Sequence, residues 1–166
     1  MSANRYLRLI DSPPSIWLNR NRNRSSAMTT ANISHLHRAE GRLEELGIQL
    51  PPAPTPFGTY VETLQTGNLL FLSGMLPVVD HKPKYVGRLG NELDVNAGRD
   101  AAYTAGLSAL AAARQHLGSL DRISRVVRLG VFIAASGDFL DHVTVADVVS
   151  ELFEGISASR KDRSGS

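Results

Sequence analysis

The chain has 166 residues, 42% of them hydrophobic, and a formal net charge of +2. That is length and apolar content for one globular domain and argues against wholesale disorder. The sequence contains no cysteine, which excludes disulfides, a thiol nucleophile and thiolate metal sites, and no apolar run approaches the ~20 residues of a membrane-spanning helix.

The positive charge sits at the ends. Residues 1–30 carry net +4 through Arg5, Arg8, Arg20, Arg22 and Arg24 against Asp11, and residues 158–166 carry +2. The body between them, 31–157, is left with −4. Neutralising phosphates needs a clustered basic face, so this body is a poor nucleic-acid platform.

Taken in chain order, residues 1–30 lack sustained periodicity and include "NRNRNRSS". Arginine-rich, serine-containing and nearly acid-free composition is that of an organelle transit peptide; the competing reading is a leader ahead of a true start at Met28. Both readings place residues 1–30 outside the fold. The expected location is cytoplasmic, or mitochondrial or plastid if the leader is a transit peptide. The domain is expected over 31–157, with 158–166 a polar tail.

From Ser34 a short helix is expected, with Leu36, Ala39, Leu43 and Leu46 on one face and Gly47 as its stop. "QLPPAPTPFG" forbids regular structure, because each proline removes a donor and restrains the residue before it. Tyr60 to Thr66 and Leu69 to Leu76 flank Gly67-Asn68, a two-residue hairpin turn. A short strand is expected around Tyr85.

Asp94 is placed to cap a long helix through Leu117, closed by Gly118. Ala102, Ala105, Gly106, Ala109 and Ala113 form a small-residue stripe that lets this helix sit close on a sheet. In Arg125 to Ser136, Val127, Leu129, Val131 and Ile133 alternate onto one face of a strand. A last helix carries Val145, Val148, Val149, Leu152, Phe153 and Ile156 at helical spacing, with Thr144 as its expected cap and Asp147 three residues on. The order predicts an α+β domain, two helices on a mixed sheet. It leaves the strand Arg125–Ser136 without a neighbour, an exposed edge that proteins usually cover.

Chemistry is sparse. The five histidines, His35, His37, His81, His116 and His142, show no metal spacing, and His35 and His37 fall on different faces of a helix. "GRLGNEL" lacks the ending of a phosphate loop, and Ser73 lacks the preceding glycine of a nucleophile elbow. No metal site is expected and no catalytic residue is assigned. What stands out is "LLFLSGMLP", an apolar strand interrupted by Ser73-Gly74. Two readings compete: a kink at a sheet edge, or a bulge or close approach by backbone or ligand where glycine has no Cβ.

"GTYVETLQTGNLLFLSGMLPV" followed by "GRLGNELDVNAGRDAAYTAGLSALAAARQHLGSLDRISRVVRLGVFIAASGDF" resembles the YjgF-like reactive intermediate deaminase (Rid) family, also described as endoribonuclease L-PSP-like. The resemblance runs over about residues 38–139 and implies a chorismate-mutase-like fold. It also implies a homotrimer with ligand clefts between subunits, and hydrolysis of enamines or 2-iminoacids without a cofactor.

Tyr60 matches the tyrosine of the family's Gly-x-Tyr-Ser segment, with Val61 in place of the serine. Ser73 and Gly74 match its cleft Ser-Gly, with Met75 in place of the usual glutamine. The resemblance therefore implies that Tyr60, Ser73 and Gly74 bind a small carboxylate or imine. The family's carboxylate-binding Arg and water-activating Glu lie on two later strands that nothing after Phe153 resembles. The expectation is a domain lacking its last two strands, with catalysis impaired or lost. The alternatives are a non-catalytic trimer that binds small carboxylates, and a product without stable function. No nucleic-acid or membrane partner is expected.

Overall fold

The computed structural model describes residues 2–9 as a strand, together with residues 38–79 and 82–157. The transit-like run beyond Leu9, the helix start at Ser34–Leu36, His35, His37, His81 and the polar tail 158–166 lie outside the described residues.

Four strands make the main sheet: β1 (Ser2–Leu9), β2 (Thr63–Thr66), β3 (Leu69–Met75) and β6 (Ile123–Phe132), in the order β2-β3-β1-β6. A separate pair joins β4 (Val78–Val79) to β5 (Lys82–Pro83). Among the described residues three helices follow the sequence pattern: α1 (Ala39–Glu45), α2 (Val95–Leu117) and α3 (His142–Ile156). A 3-10 turn at Leu120–Arg122 leads into β6.

The N-terminal strand is the main departure from expectation. Ser2–Leu9 belongs to the sheet, which corrects the placement of residues 1–30 wholly outside the fold. Every residue of β1 is in register with β6, and Arg5–Arg8 are also in register with Leu72–Leu69 of β3. The strand Arg125–Ser136 therefore has a neighbour. Main-chain groups on two facing strands offer a ready template for a third, and that overrides the weak local preference of "SANRYLRL".

A second correction follows from the first. The described pairings of the main sheet are antiparallel rather than mixed. β3 and β6 do run parallel to each other, but β1 lies between them and opposes both. The short strand expected at Tyr85 is found just before it, at Lys82–Pro83.

The alternation along β6 is also reset. Tyr6 pairs with Arg128 and Leu7 with Val126, so Val127 is an extra residue on β6. Such a bulge shifts the side-chain period by one. Val126, Leu129 and Ile133 consequently pack on the core, while Val127 is 54% exposed. The expected face of Val127, Leu129, Val131 and Ile133 is corrected at Val127.

The core lies between the sheet and the helices. Leu70 and Leu72 of β3 meet the small face of α2, where Ala102, Ala105, Ala109 and Ala113 are all buried. α3 presents Val145, Val149, Leu152, Phe153 and Ile156 to the same core. Small side chains on α2 let both partners approach its axis, as the sequence stripe implies.

Asp94 caps α2 as expected, its Oδ1 accepting from the Ala97 N–H at 2.8 Å. Gly118 closes it in the left-handed region at φ 79, its N–H donating to the Arg114 carbonyl. Replacing Asp94 by Ala should cost about 1 kcal/mol in urea unfolding, since it leaves a first-turn donor without its partner. The cap expected at Thr144 is not used. α3 starts three residues earlier, Asp141 holds the cap position without a side-chain bond, and the Thr144 carbonyl accepts from Arg99 Nη1 at 3.3 Å.

Helix α1 is tied down through its first turn, by Glu40 and Arg42. Glu40 Oε1 accepts from the Leu120 N–H at 2.8 Å, and the Glu40 N–H donates to Asp121 Oδ1 at 3.0 Å. Arg42 Nε donates to the Gly155 carbonyl at 3.1 Å and so joins α1 to the end of α3. Glu40 also pairs with Arg114 at 3.1 Å. Glu40→Ala removes a largely buried carboxylate and leaves the Leu120 N–H without its acceptor. The expected loss is about 1–3 kcal/mol in the same urea titration.

Candidate functional site

The hairpin builds the site. A two-residue turn at Gly67-Asn68 fixes the pairing of β2 with β3, from Thr66 opposite Leu69 to Thr63 opposite Leu72. One step further brings Glu62 opposite Ser73. The Ser73 N–H donates to the Glu62 carbonyl at 2.9 Å. The Ser73 hydroxyl lies 3.3 Å from that carbonyl oxygen and 3.1 Å from Glu62 Oε2.

On its other side, β3 faces β1. Ala3 pairs with Met75 and Arg5 with Leu72, so Ser73 and Gly74 together oppose the single residue Asn4. This is a β-bulge, and β3 is an interior strand of the sheet. The edge-kink reading of Ser73-Gly74 is corrected accordingly: the irregularity is an inserted residue between two paired strands. Bulges re-aim side chains, and here the bulged pair is a hydroxyl, half-buried, followed by an exposed glycine.

Tyr60 is placed differently. Its hydroxyl accepts from the Phe57 N–H at 3.3 Å, so the side chain is engaged with its own loop, and it is 44% exposed. Among the described residues, the side chain that reaches Ser73 is that of Glu62. Sequence reasoning missed Glu62, although its position opposite Ser73 follows from counting outward from the two-residue turn.

The described histidines serve structure. His116 bridges the end of α2 to β2, with Nδ1 3.1 Å from Thr63 Oγ1 and Nε2 3.2 Å from Gln65 Oε1. His142 stacks edge-on against Phe139 with ring centroids 4.9 Å apart. Among the described residues no group of acidic, histidine or cysteine side chains could hold a metal ion, and no helix is long and apolar enough to cross a membrane.

A separate shallow cleft of only about 40 Å³ lies near the start of α2, lined by Pro77, Tyr85, Leu89, Leu93, Ala101 and Ile133 among others. Apart from the Tyr85 hydroxyl its lining side chains are apolar, and it does not include Tyr60, Ser73 or Gly74. The adjoining loop is held by Glu92. Its Oε2 accepts from the Arg88 N–H at 2.7 Å, and its Oε1 accepts from Asn91 Nδ2 at 2.9 Å. The backbone donor of Arg88, first among several hydrogen bonds, holds the Glu92 carboxyl below the usual glutamate range. A lowered folded-state pKa makes this contribution full above the ordinary glutamate value. It is lost as pH falls through the lowered one.

Comparison with known proteins agrees with the architecture. The family model described as "YjgF/chorismate mutase-like, putative endoribonuclease" matches residues 40–164. The protein TCP17 of Trypanosoma cruzi is 38% identical over 115 residues, covering 69% of this chain and 72% of that protein. The crystal structure of a "putative endoribonuclease" from Shewanella oneidensis MR-1 superposes with a TM-score of 0.69 at 30% identity, over 73% of this chain and 82% of that one. Protein Atu1372 of Agrobacterium tumefaciens, described as of unknown function, gives a TM-score of 0.65 at 31% identity over 81% of each chain. Its hairpin, long small-faced helix, following strand and last helix, together with these matches, make the chain a member of the YjgF/chorismate mutase-like family.

Proposed function

We propose that the chain is a small-molecule-binding protein of the Rid type. Its ligand site is the Ser73–Gly74 bulge, and its 2-iminoacid deaminase activity is impaired or lost. The observation that carries this reading is the bulge itself. It interrupts an apolar interior strand, whose side chains alternate between half-buried and buried, with a half-buried hydroxyl and an exposed glycine, where a small ligand can approach the main chain. Impairment is inferred from the side chain found there. Imine hydrolysis of an acid substrate calls for a cation to hold the carboxylate, and among the described residues Ser73 is met by the carboxylate of Glu62.

Assembly into a homotrimer is part of the same proposal. The helices cover one face of the sheet, while Leu64 and Phe132 are 61% and 60% exposed on its strands. Exposed apolar groups on a sheet face of this kind favour burial against further copies of the chain. A ribonuclease reading has less support, because the body between the basic ends carries net −4.

The test is 2-iminopropionate hydrolysis by the purified full-length chain, with its mass measured by sedimentation. The expected result is a trimer with no turnover above the uncatalysed rate. Clear enzyme-dependent turnover would overturn the impairment, and a monomer at micromolar concentration would overturn the assembly.

A further inference from the structure

Ser73 has two hydrogen-bond donors, and Glu62 takes both. The N–H is committed to the Glu62 carbonyl at 2.9 Å. The hydroxyl proton has two acceptors within reach, the same carbonyl at 3.3 Å and Oε2 at 3.1 Å, and neither can donate in return. What Ser73 turns outward is therefore a lone pair. Beside it stands a half-buried carboxylate, and the exposed Gly74 that follows has no Cβ to obstruct approach.

An anion needs donors and positive charge. This arrangement supplies acceptors and negative charge. We propose that the Ser73–Glu62 pair selects a protonated nitrogen, the ammonium or iminium group of a small amine, in preference to a free carboxylate. The N–H groups of such a ligand would donate to Ser73 Oγ and to the Glu62 carboxylate. A carboxylate in the same place would meet a like charge with no donor from Ser73 to offset it. The inference rests on the Ser73–Gly74 bulge being the ligand site, and it assigns the charge of the ligand.

Propylammonium and propionate have the same chain length and opposite charge, so they isolate that choice. Each is titrated into the nitrogen-15-labelled full-length chain while the Ser73 and Gly74 amide signals are followed. The expected result is saturable shifts with propylammonium, at least about tenfold tighter than propionate. Glu62→Gln, which keeps the side-chain shape, is expected to remove that preference while the rest of the spectrum stays in place. Tighter binding of propionate at these amides would overturn the inference and leave the site reading standing. No response at either amide to tens of millimolar of both ligands would overturn both. Retention of the ammonium preference in Glu62→Gln would remove Glu62 from the explanation and overturn the proposal as stated. The comparison in the unmodified chain needs no variant to fold.

Discussion

Deleting residues 2–9 should abolish cooperative unfolding and convert the chain to aggregates. β1 is the strand on which the sheet closes: all of its residues are in register with β6, and most are also in register with β3. Its removal strips β3 of its inner neighbour and leaves β6, the outer strand, with no partner in the sheet, so that unpaired main-chain groups face one another across an empty slot. Each lost ladder bond is worth about 1 kcal/mol net, and the deletion removes bonds on both sides at once. A domain of this size has only about 5–15 kcal/mol of stability in total, so the loss is comparable with the whole. The new edges also offer templates for other chains, which is the route to aggregation.

The measurements are a thermal melt by circular dichroism and size-exclusion chromatography of the deletion variant. A synthetic peptide of residues 2–9, added in trans, should recover part of the soluble fraction. An unchanged melting transition in the deletion variant would show that the sheet does not depend on β1.

Gly90→Val should destabilise the domain by about 2–5 kcal/mol, through two separate mechanisms. Gly90 sits at φ 81, in the left-handed region, which costs a β-branched residue at least the ~1–2 kcal/mol charged to any side chain there. A Cβ would also lie 2.5 Å from Ser136 Oγ and 3.2 Å from Phe139 Cβ. Ser136 cannot simply turn away, because its hydroxyl donates to the Leu89 carbonyl at 3.2 Å and its N–H donates to the same oxygen at 2.9 Å. These bonds hold the loop before α2 against the end of β6, so relief of the clash would break them. Overpacking of this kind adds about 1–3 kcal/mol. Urea unfolding of Gly90→Val and Gly90→Ala gives the check, with Ala expected to lose less. A loss below about 1 kcal/mol for Val would mean that the loop re-forms around the side chain.

The elements with strong local periodicity were legible in the sequence. The hairpin around Gly67-Asn68, the small-faced α2 from its Asp94 cap to Gly118, and the apolar stripe of α3 each follow from spacing within one segment. The turn count even places Glu62 opposite Ser73, because a two-residue hairpin leaves one possible register.

What tertiary structure alone decided is β1 and everything that depends on it. "SANRYLRL" has no stripe that separates it from a loop, and its extended state comes from two strands distant in sequence whose main-chain groups need partners. The antiparallel sense of the sheet, the bulge that turns Val127 outward and Val126 inward, and the bulge at Ser73–Gly74 are all set by that strand's register. Local sequence could mark Ser73–Gly74 as irregular. That the irregularity is an inserted residue against Asn4 is a property of the pair of strands, and a pair separated by more than 60 residues leaves no trace in either segment read alone.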